Sequence, residues 1–202
     1  MCSKVILFIA DGMADRPVKE LGWRTPLEAA NKPRLNQIAE DGTCGIIDPI
    51  APGIPPGSDT STLALLGYDP MKVYTGRGAL EALGIGVEVS QGDVAFRCNF
   101  ATVDKNMMIL DRRAGRIANE DASQLCVSLQ KVKLAEFPRI RFTFKNAVQH
   151  RAALVLRGAA LSPAVSDSDP ESVGKKVLEV KPLDGTKEAK QTAHIVNSLM
   201  RE

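Results

Sequence analysis

The sequence predicts an α/β protein in which a parallel-sheet core is joined to a smaller α+β subdomain. Three observations carry this. Val5 to Ala10 is an unbroken apolar run, rich in β-branched residues, that ends at Asp11-Gly12; such a run suits a strand buried on both faces, as in a parallel sheet. A second short apolar run, Cys44-Gly-Ile-Ile-Asp48, follows an intervening helical stretch, and strand, helix, strand at this spacing is a βαβ unit with a right-handed crossover. Beyond residue 75 the texture changes: Gly76, Gly78, Gly84, Gly86 and Gly92 punctuate the chain and apolar residues begin to alternate, the pattern of antiparallel strands.

The elements follow in order. Thr25-Pro-Leu-Glu28 combines a capping threonine, proline at the first helical position and glutamate three residues after the cap, so a helix starts there. Pro33 breaks it and restarts it, Leu35, Ile38 and Ala39 form its apolar stripe, and Asp41-Gly42 stops it. Residues 51–57 hold three prolines and two glycines and make a loop. Ser58 and the helix-compatible stretch Asp59 to Leu66 come next, ended by Gly67 and Pro70. Val94 to Val103, Ile140 to Val148 and Ala152 to Leu156 read as strands. Asn119 to Val132 reads as a helix with Ala122, Leu125, Cys126, Leu129 and Val132 on its apolar face. A last amphipathic helix, capped near Thr186, carries Ala189, Ile195, Val196 and Leu199. The expected organisation is therefore residues 1–74 as the N-terminal part of the core, 75–185 as the smaller subdomain, and 186–202 as a helix returning toward the core.

Composition narrows the function classes. The chain has 202 residues, with Lys plus Arg numbering 26 and Asp plus Glu 24, a formal net charge of +2. That balance gives no reason to expect nucleic acid or an anionic membrane as partner. The apolar run at the N-terminus is far shorter than the roughly 20 residues of a membrane span, and no signal-peptide cleavage pattern follows it. Cys2, Cys44, Cys98 and Cys126 are widely spaced with no C-x-x-C pair, which points to a reducing cytoplasm rather than a disulfide framework or structural zinc site. With only two histidines, His150 and His194, a metal centre built on several imidazoles is not complete in this sequence.

Candidate chemistry gathers at a few places. Asp11 directly follows a strand, at the carboxyl edge where open α/β sheets hold ligands, although Asp-Gly is also a common turn. Ser58, read as the cap of the next helix, sits at the positive end of a helix dipole; this suits a phosphate, and an alkoxide when a cation shares the oxygen. Both supply hard oxygen donors suited to Mg²⁺ or Mn²⁺. Asp111-Arg-Arg-Ala-Gly-Arg116 places Arg112, Arg113 and Arg116 within five residues, with Arg77 and Arg97 upstream; guanidinium forks match phosphate and carboxylate oxygens. His150 stands beside Arg151. His194 reads as structural, and Asp167-Ser-Asp169-Pro170 as a turn whose carboxylates could orient an arginine.

Several longer segments carry a family resemblance: Ile9-Ala-Asp-Gly-Met-Ala-Asp15-Arg-Pro17, Thr25-Pro-Leu-Glu-Ala-Ala30, Pro33-Arg-Leu35, and above all Pro56-Gly-Ser58-Asp-Thr-Ser61. Leu65-Leu-Gly-Tyr-Asp-Pro70, Gly76-Arg-Gly78, Glu81-Ala-Leu-Gly84, Asp111-Arg-Arg-Ala-Gly-Arg116, His150-Arg-Ala-Ala-Leu154 and Ser166-Asp-Ser-Asp-Pro170 continue in the same order. Together they resemble the N-terminal part of the archaeal-type cofactor-independent phosphoglycerate mutases. The resemblance implies an alkaline-phosphatase-like parallel-sheet core, incomplete in this chain, with an inserted smaller α+β domain. It also implies a site with two divalent ions, commonly Mn²⁺. Ser58 is then the nucleophile that takes the phosphoryl group of 3-phosphoglycerate and returns it to give 2-phosphoglycerate. Asp11 and Ser58 share a metal, and Arg112, Arg113, Arg116 and His150 bind the substrate.

The sequence departs from the family pattern at Thr62, where many members have histidine, and at Glu171-Ser172, where His-Arg is usual. The family's remaining metal ligands, a D-x-x-x-H set and a later A-D-H set, have no counterpart up to Glu202. The expectation is thus a phosphorylated small-molecule substrate and a chain that is inactive until a C-terminal part completes its site, with homo-oligomerisation left open. A related metal-dependent phosphatase or phosphotransferase, or a non-catalytic truncated product, are the alternatives that the same residues allow.

Overall fold

A computed structural model describes residues 4–10 and 12–201; Asp11, the first site candidate, lies outside the described residues. The chain divides into two units, Met1–Gly53 and Ile54–Glu202.

In the first unit the local signals are realised. Helix α1 spans Pro26–Ala29, where Thr25 accepts the Glu28 N–H and the Glu28 carboxylate accepts the Thr25 N–H, with Pro26 at the first position. Helix α2 spans Pro33–Asp41 and stops before Gly42. The two predicted strands are not formed: residues 4–10 and 43–48 are unpaired, and Ile6 is 90% and Ile46 102% exposed. A strand buried on both faces needs hydrogen-bonded neighbours along its edges and a packed layer above and below. The described residues of this unit provide only short helices, so the parallel pair expected from the apolar runs is absent among them. The stripe residues Leu35 and Ile38 of α2 are likewise exposed.

The second unit holds the core. After α3 (Ser58–Leu65), α4 (Pro70–Val73) and α5 (Arg77–Gly84) come β1 (Val94–Asn99), β2 (Thr102–Val103), β3 (Ile109–Asp111), α6 (Asn119–Leu129), β4 (Arg141–Asn146), β5 (Arg151–Arg157) and α7 (Lys187–Leu199). Three strands form an antiparallel sheet in the order β1-β5-β4, with Phe96 opposite Leu154 and Phe144 opposite the same leucine on the other side. As the middle strand, β5 is buried on both faces, which is why Ala152 to Leu156 is continuously apolar. Leu154 and Leu156 pack with Ile140, Val180 and the Ala193, Ile195, Val196, Leu199 face of α7. Ala153 and Val155 point the other way, onto Ala82 of α5 and Val87.

β4 is an edge strand and alternates exposed with half-buried residues. Its outer edge is met by the side chain of Gln130, whose amide donates to the Phe142 carbonyl at 2.6 Å and accepts the Phe144 N–H at 2.9 Å. Asp93, ahead of β1, clamps Arg157 at the end of β5 with contacts of 2.6 to 3.1 Å and also accepts the Ser90 N–H. Helix α7 starts as expected, with Thr186 accepting the Ala189 N–H. The small β2-β3 ladder is extended by the segment around Gly174, which bonds to Ile109 through Gly174 N–H at 2.8 Å and Lys175 O at 2.9 Å.

Candidate functional site

Helix α3 begins at Ser58, but its cap is Gly57, a correction to the expectation that Ser58 itself caps. The reason is local. The Gly57 carbonyl accepts both the N–H and the hydroxyl of Ser61 at 2.8 Å, and Thr60 Oγ1 accepts the Gly57 N–H at 3.1 Å. The Ser58 hydroxyl is therefore not used by the cap, and the residue is exposed at the first helical position. Its carbonyl accepts the Thr62 hydroxyl at 2.6 Å.

Asp59, beside it, folds back over the helix start. A Cβ on Gly57 would stand 2.5 Å from Asp59 Oδ1, so glycine is what admits this arrangement. Asp59 accepts hydrogen bonds from the Tyr74 hydroxyl and from Arg77, whose Nε lies 2.9 Å from Oδ2. Burial pushes the Asp59 carboxyl up, but the bonds from Tyr74, Arg77 and the Thr60 N–H outweigh it and hold the pKa at about 2. An unfolded Asp59 takes a proton near its ordinary 3.8 while the folded one resists until about 2. The carboxylate's contribution is thus full above 3.8 and fades as pH falls toward about 2. Asp59→Asn is expected to cost about 1 kcal/mol at neutral pH, since Arg77 is half exposed. Urea midpoints of variant and wild type should converge at the acid end; a gap constant with pH would show that the ion pair is not the stabilising contact.

The arginine-rich turn is the second constellation. The Asp111 carboxylate accepts the Arg113 N–H at 2.8 Å and the Gly115 N–H at 2.6 Å, folding the chain so that Ala114, Gly115 and Arg116 all take left-handed φ angles of 46, 62 and 54°. His150 is 8% exposed and its Nδ1 is buried without a hydrogen-bond partner. Burial, followed by the positive charges of Arg151, Arg113, Arg116 and Arg97, pushes its pKa down, so the imidazole is held neutral. Three of the four predicted binding residues, Arg113, Arg116 and His150, are thus brought into one electrostatic neighbourhood, with Arg97 and Arg151 added to it. Arg112 is turned instead to Asp169. His194 lies on the exposed side of α7, 3.3 Å from Glu136 and edge-on to Phe137.

The Asp59–Tyr74–Arg77 contact is not among the expectations drawn from the sequence, whereas Arg97 was already counted with the arginine set and is now placed in the field of His150. Arg77, framed by Gly76 and Gly78, was the available signal for that contact. Thiol chemistry is disfavoured at Cys98, where burial and then the neighbouring Cys126 push the pKa to about 12. Among the described residues no group of three or more His, Cys, Asp or Glu side chains could hold a metal ion.

Fold and polar clusters define a mixed α/β chain whose exposed helix-start serine and gathered arginines suit a small anion. The chain belongs to the 2,3-bisphosphoglycerate-independent phosphoglycerate mutase family, whose model matches residues 39–202. Enzymes of that name from Methanobrevibacter smithii and Methanothermobacter thermautotrophicus are 53% and 50% identical over 197 and 199 residues. Each alignment covers 98% of this chain and 48% of the relative, so the chain spans about half the length of the curated relatives it matches. Among solved structures, the cofactor-independent phosphoglycerate mutase from Thermoplasma acidophilum is 42% identical, with a TM-score of 0.59 over 94% of this chain and 49% of the other. A Pyrococcus horikoshii protein, 32% identical, gives a TM-score of 0.67 over 94% of this chain and 40% of that one.

Proposed function

We propose that this chain supplies the nucleophile and the substrate-binding residues of a cytoplasmic phosphoglycerate mutase acting in glycolysis and gluconeogenesis. The family membership supports the reaction class, and the observation that carries the reading is the buried His150, whose Nδ1 has no hydrogen-bond partner and which lies in the field of the charges of Arg151, Arg113, Arg116 and Arg97. Such a site suits a small polyanion such as phosphoglycerate. Ser58 Oγ gives up its proton as it attacks the phosphorus of 3-phosphoglycerate, the bond from phosphorus to the C3 oxygen breaks, and that oxygen takes up a proton. The glycerate turns, its C2 hydroxyl gives up its proton as it attacks the phosphoserine, the Ser58 Oγ–phosphorus bond breaks, and Oγ takes up a proton as 2-phosphoglycerate leaves. Arg112, Arg113, Arg116 and His150 bind the substrate's anionic groups. Two divalent cations, Mn²⁺ or Mg²⁺, belong to the proposal for the whole protein, with Asp11 and Ser58 as the oxygen donors this chain contributes. Residues 1–74, 75–185 and 186–202 serve respectively as the start of the core, the substrate-binding insert and a returning helix.

The test is turnover of 3-phosphoglycerate with Mn²⁺, by this chain alone and together with a polypeptide matching the other half of its relatives. Turnover is expected only in the combined sample, falling by about 1,000-fold or more in Ser58→Ala. Isomerisation unaffected by Ser58→Ala would overturn the reading. Release of inorganic phosphate without isomerisation would replace it with a phosphatase.

A further inference from the structure

Arg112 differs from its neighbours in having a dedicated carboxylate. Its Nε lies 3.3 Å from Asp169 Oδ1 and its Nη2 2.7 Å from Oδ2, a side-on grip between residues 57 apart in sequence. Both ends of the pair are anchored. Asp169 Oδ1 also accepts the Glu171 N–H at 2.8 Å, and Glu171 takes a left-handed φ of 56°. On the other side, Asp111 fixes the turn that carries Arg112, and three successive residues there share the left-handed region. Non-glycine residues hold such angles only where the surroundings determine them. The ladder from Ile109 to Lys175 and the Leu178 N–H to Ser168 O bond of 2.9 Å bring the two turns together.

The side-on mode uses Nε–H and one Nη2–H. It leaves the end-on edge of the guanidinium, the Nη1 hydrogens and the second Nη2 hydrogen, on a side chain that is 39% exposed. A guanidinium whose charge is matched by Asp169 still offers directed donors, and the planar end-on fork fits a planar carboxylate. The dianionic phosphoryl group is matched better by the charges around His150, where Arg113, Arg116 and Arg151 form no salt bridge among the described residues and only the Asp111 carboxylate, itself bonded to the turn's N–H groups, adds negative charge.

We propose that Asp169 is a positioning residue that aims the end-on edge of Arg112 at the carboxylate of the phosphorylated hydroxy acid, so that the pair, rather than the His150 cluster, reads the acid end of the substrate. This rests on the function proposed above. The test is calorimetric titration of the chain with 3-phosphoglycerate and with glycerol 3-phosphate, which keeps the phosphoryl group and lacks the carboxylate. Asp169→Asn and Arg112→Lys are each expected to weaken 3-phosphoglycerate binding about tenfold while leaving glycerol 3-phosphate unchanged. The double variant should be no weaker than either single one. Loss of both ligands to the same degree, or no loss of 3-phosphoglycerate in Asp169→Asn, would overturn the positioning role while leaving the proposed function standing. A wild-type chain that binds neither ligand, both alone and together with a polypeptide matching the other half of its relatives, would overturn the proposed function and this inference with it.

Discussion

Gly78→Ala is expected to destabilise the second unit by about 3 kcal/mol, at the upper end of the cost of overfilling a packed interior. Gly78 lies in the first turn of α5, where the helix crosses β1 at its closest. A Cβ there would stand 2.0 Å from the Ala95 carbonyl oxygen and 2.8 Å from Phe96 Cα, whereas real Cβ contacts stay beyond 3.0 Å. The obstacle is the backbone of β1, so no side chain can swing aside and the helix itself must lift. Lifting it strips Ala82, which is fully buried, from Ala153 and Val155. Gly84, at the other end of the same helix, has nothing within 4 Å of the place a methyl group would occupy. Gly84→Ala should therefore leave the urea midpoint within about 0.5 kcal/mol of wild type or raise it slightly. Equal losses in the two variants would show that helix–strand approach is not what selects glycine at position 78.

Leu156→Ala should cost about 3 kcal/mol in the same urea titration, within the 2–5 kcal/mol typical of buried leucine truncations. Leu156 is fully buried on the middle strand, packed toward Ile140 and the Ile195 and Leu199 face of α7. Strands stand on either side of it and a helix lies over it, so collapse into the space left behind is hard. Leu125, which the helical period places on the apolar face of α6, is 45% exposed. Leu125→Ala is expected to change stability by less than about 0.5 kcal/mol. Similar losses at 125 and 156 would contradict the assignment of the core.

What could be read in advance divides along physical lines. Signals settled within a turn or two came through: the Thr25 and Glu28 capping box, the restart at Pro33, the Thr186 cap and the apolar face of α7. The strands of the second unit were also visible, because Arg141–Asn146 and Arg151–Arg157 carry their burial in their own residues. Helix α5 was hidden because Gly76, Gly78 and Gly84 look like loop punctuation, whereas Gly78 is there for close approach to β1. The run Val5 to Ala10 expressed a demand for burial that no neighbour among the described residues meets. At the site, residue types were legible but pairings were not. Nothing local to Asp59 announces Arg77, eighteen residues on, or gives Arg112 to Asp169 while Arg113 and Arg116 stay near His150. Ser58 was legible as the helix start, but its place one residue inside the cap depended on Thr60 and Ser61 satisfying Gly57.

The amide of Gln130 against β4 has a consequence for how this chain behaves in company. An edge strand with open N–H and C=O groups is a template onto which another molecule can add a strand, and repetition of that step builds fibrils. Gln130 occupies one donor and one acceptor of the Phe142–Phe144 edge with a side chain that has no further strand to offer. A copy arriving there meets the Phe142 carbonyl and the Phe144 N–H already taken, flanked by the positive charges of Arg141 and Lys145, which disfavours strand addition at that edge.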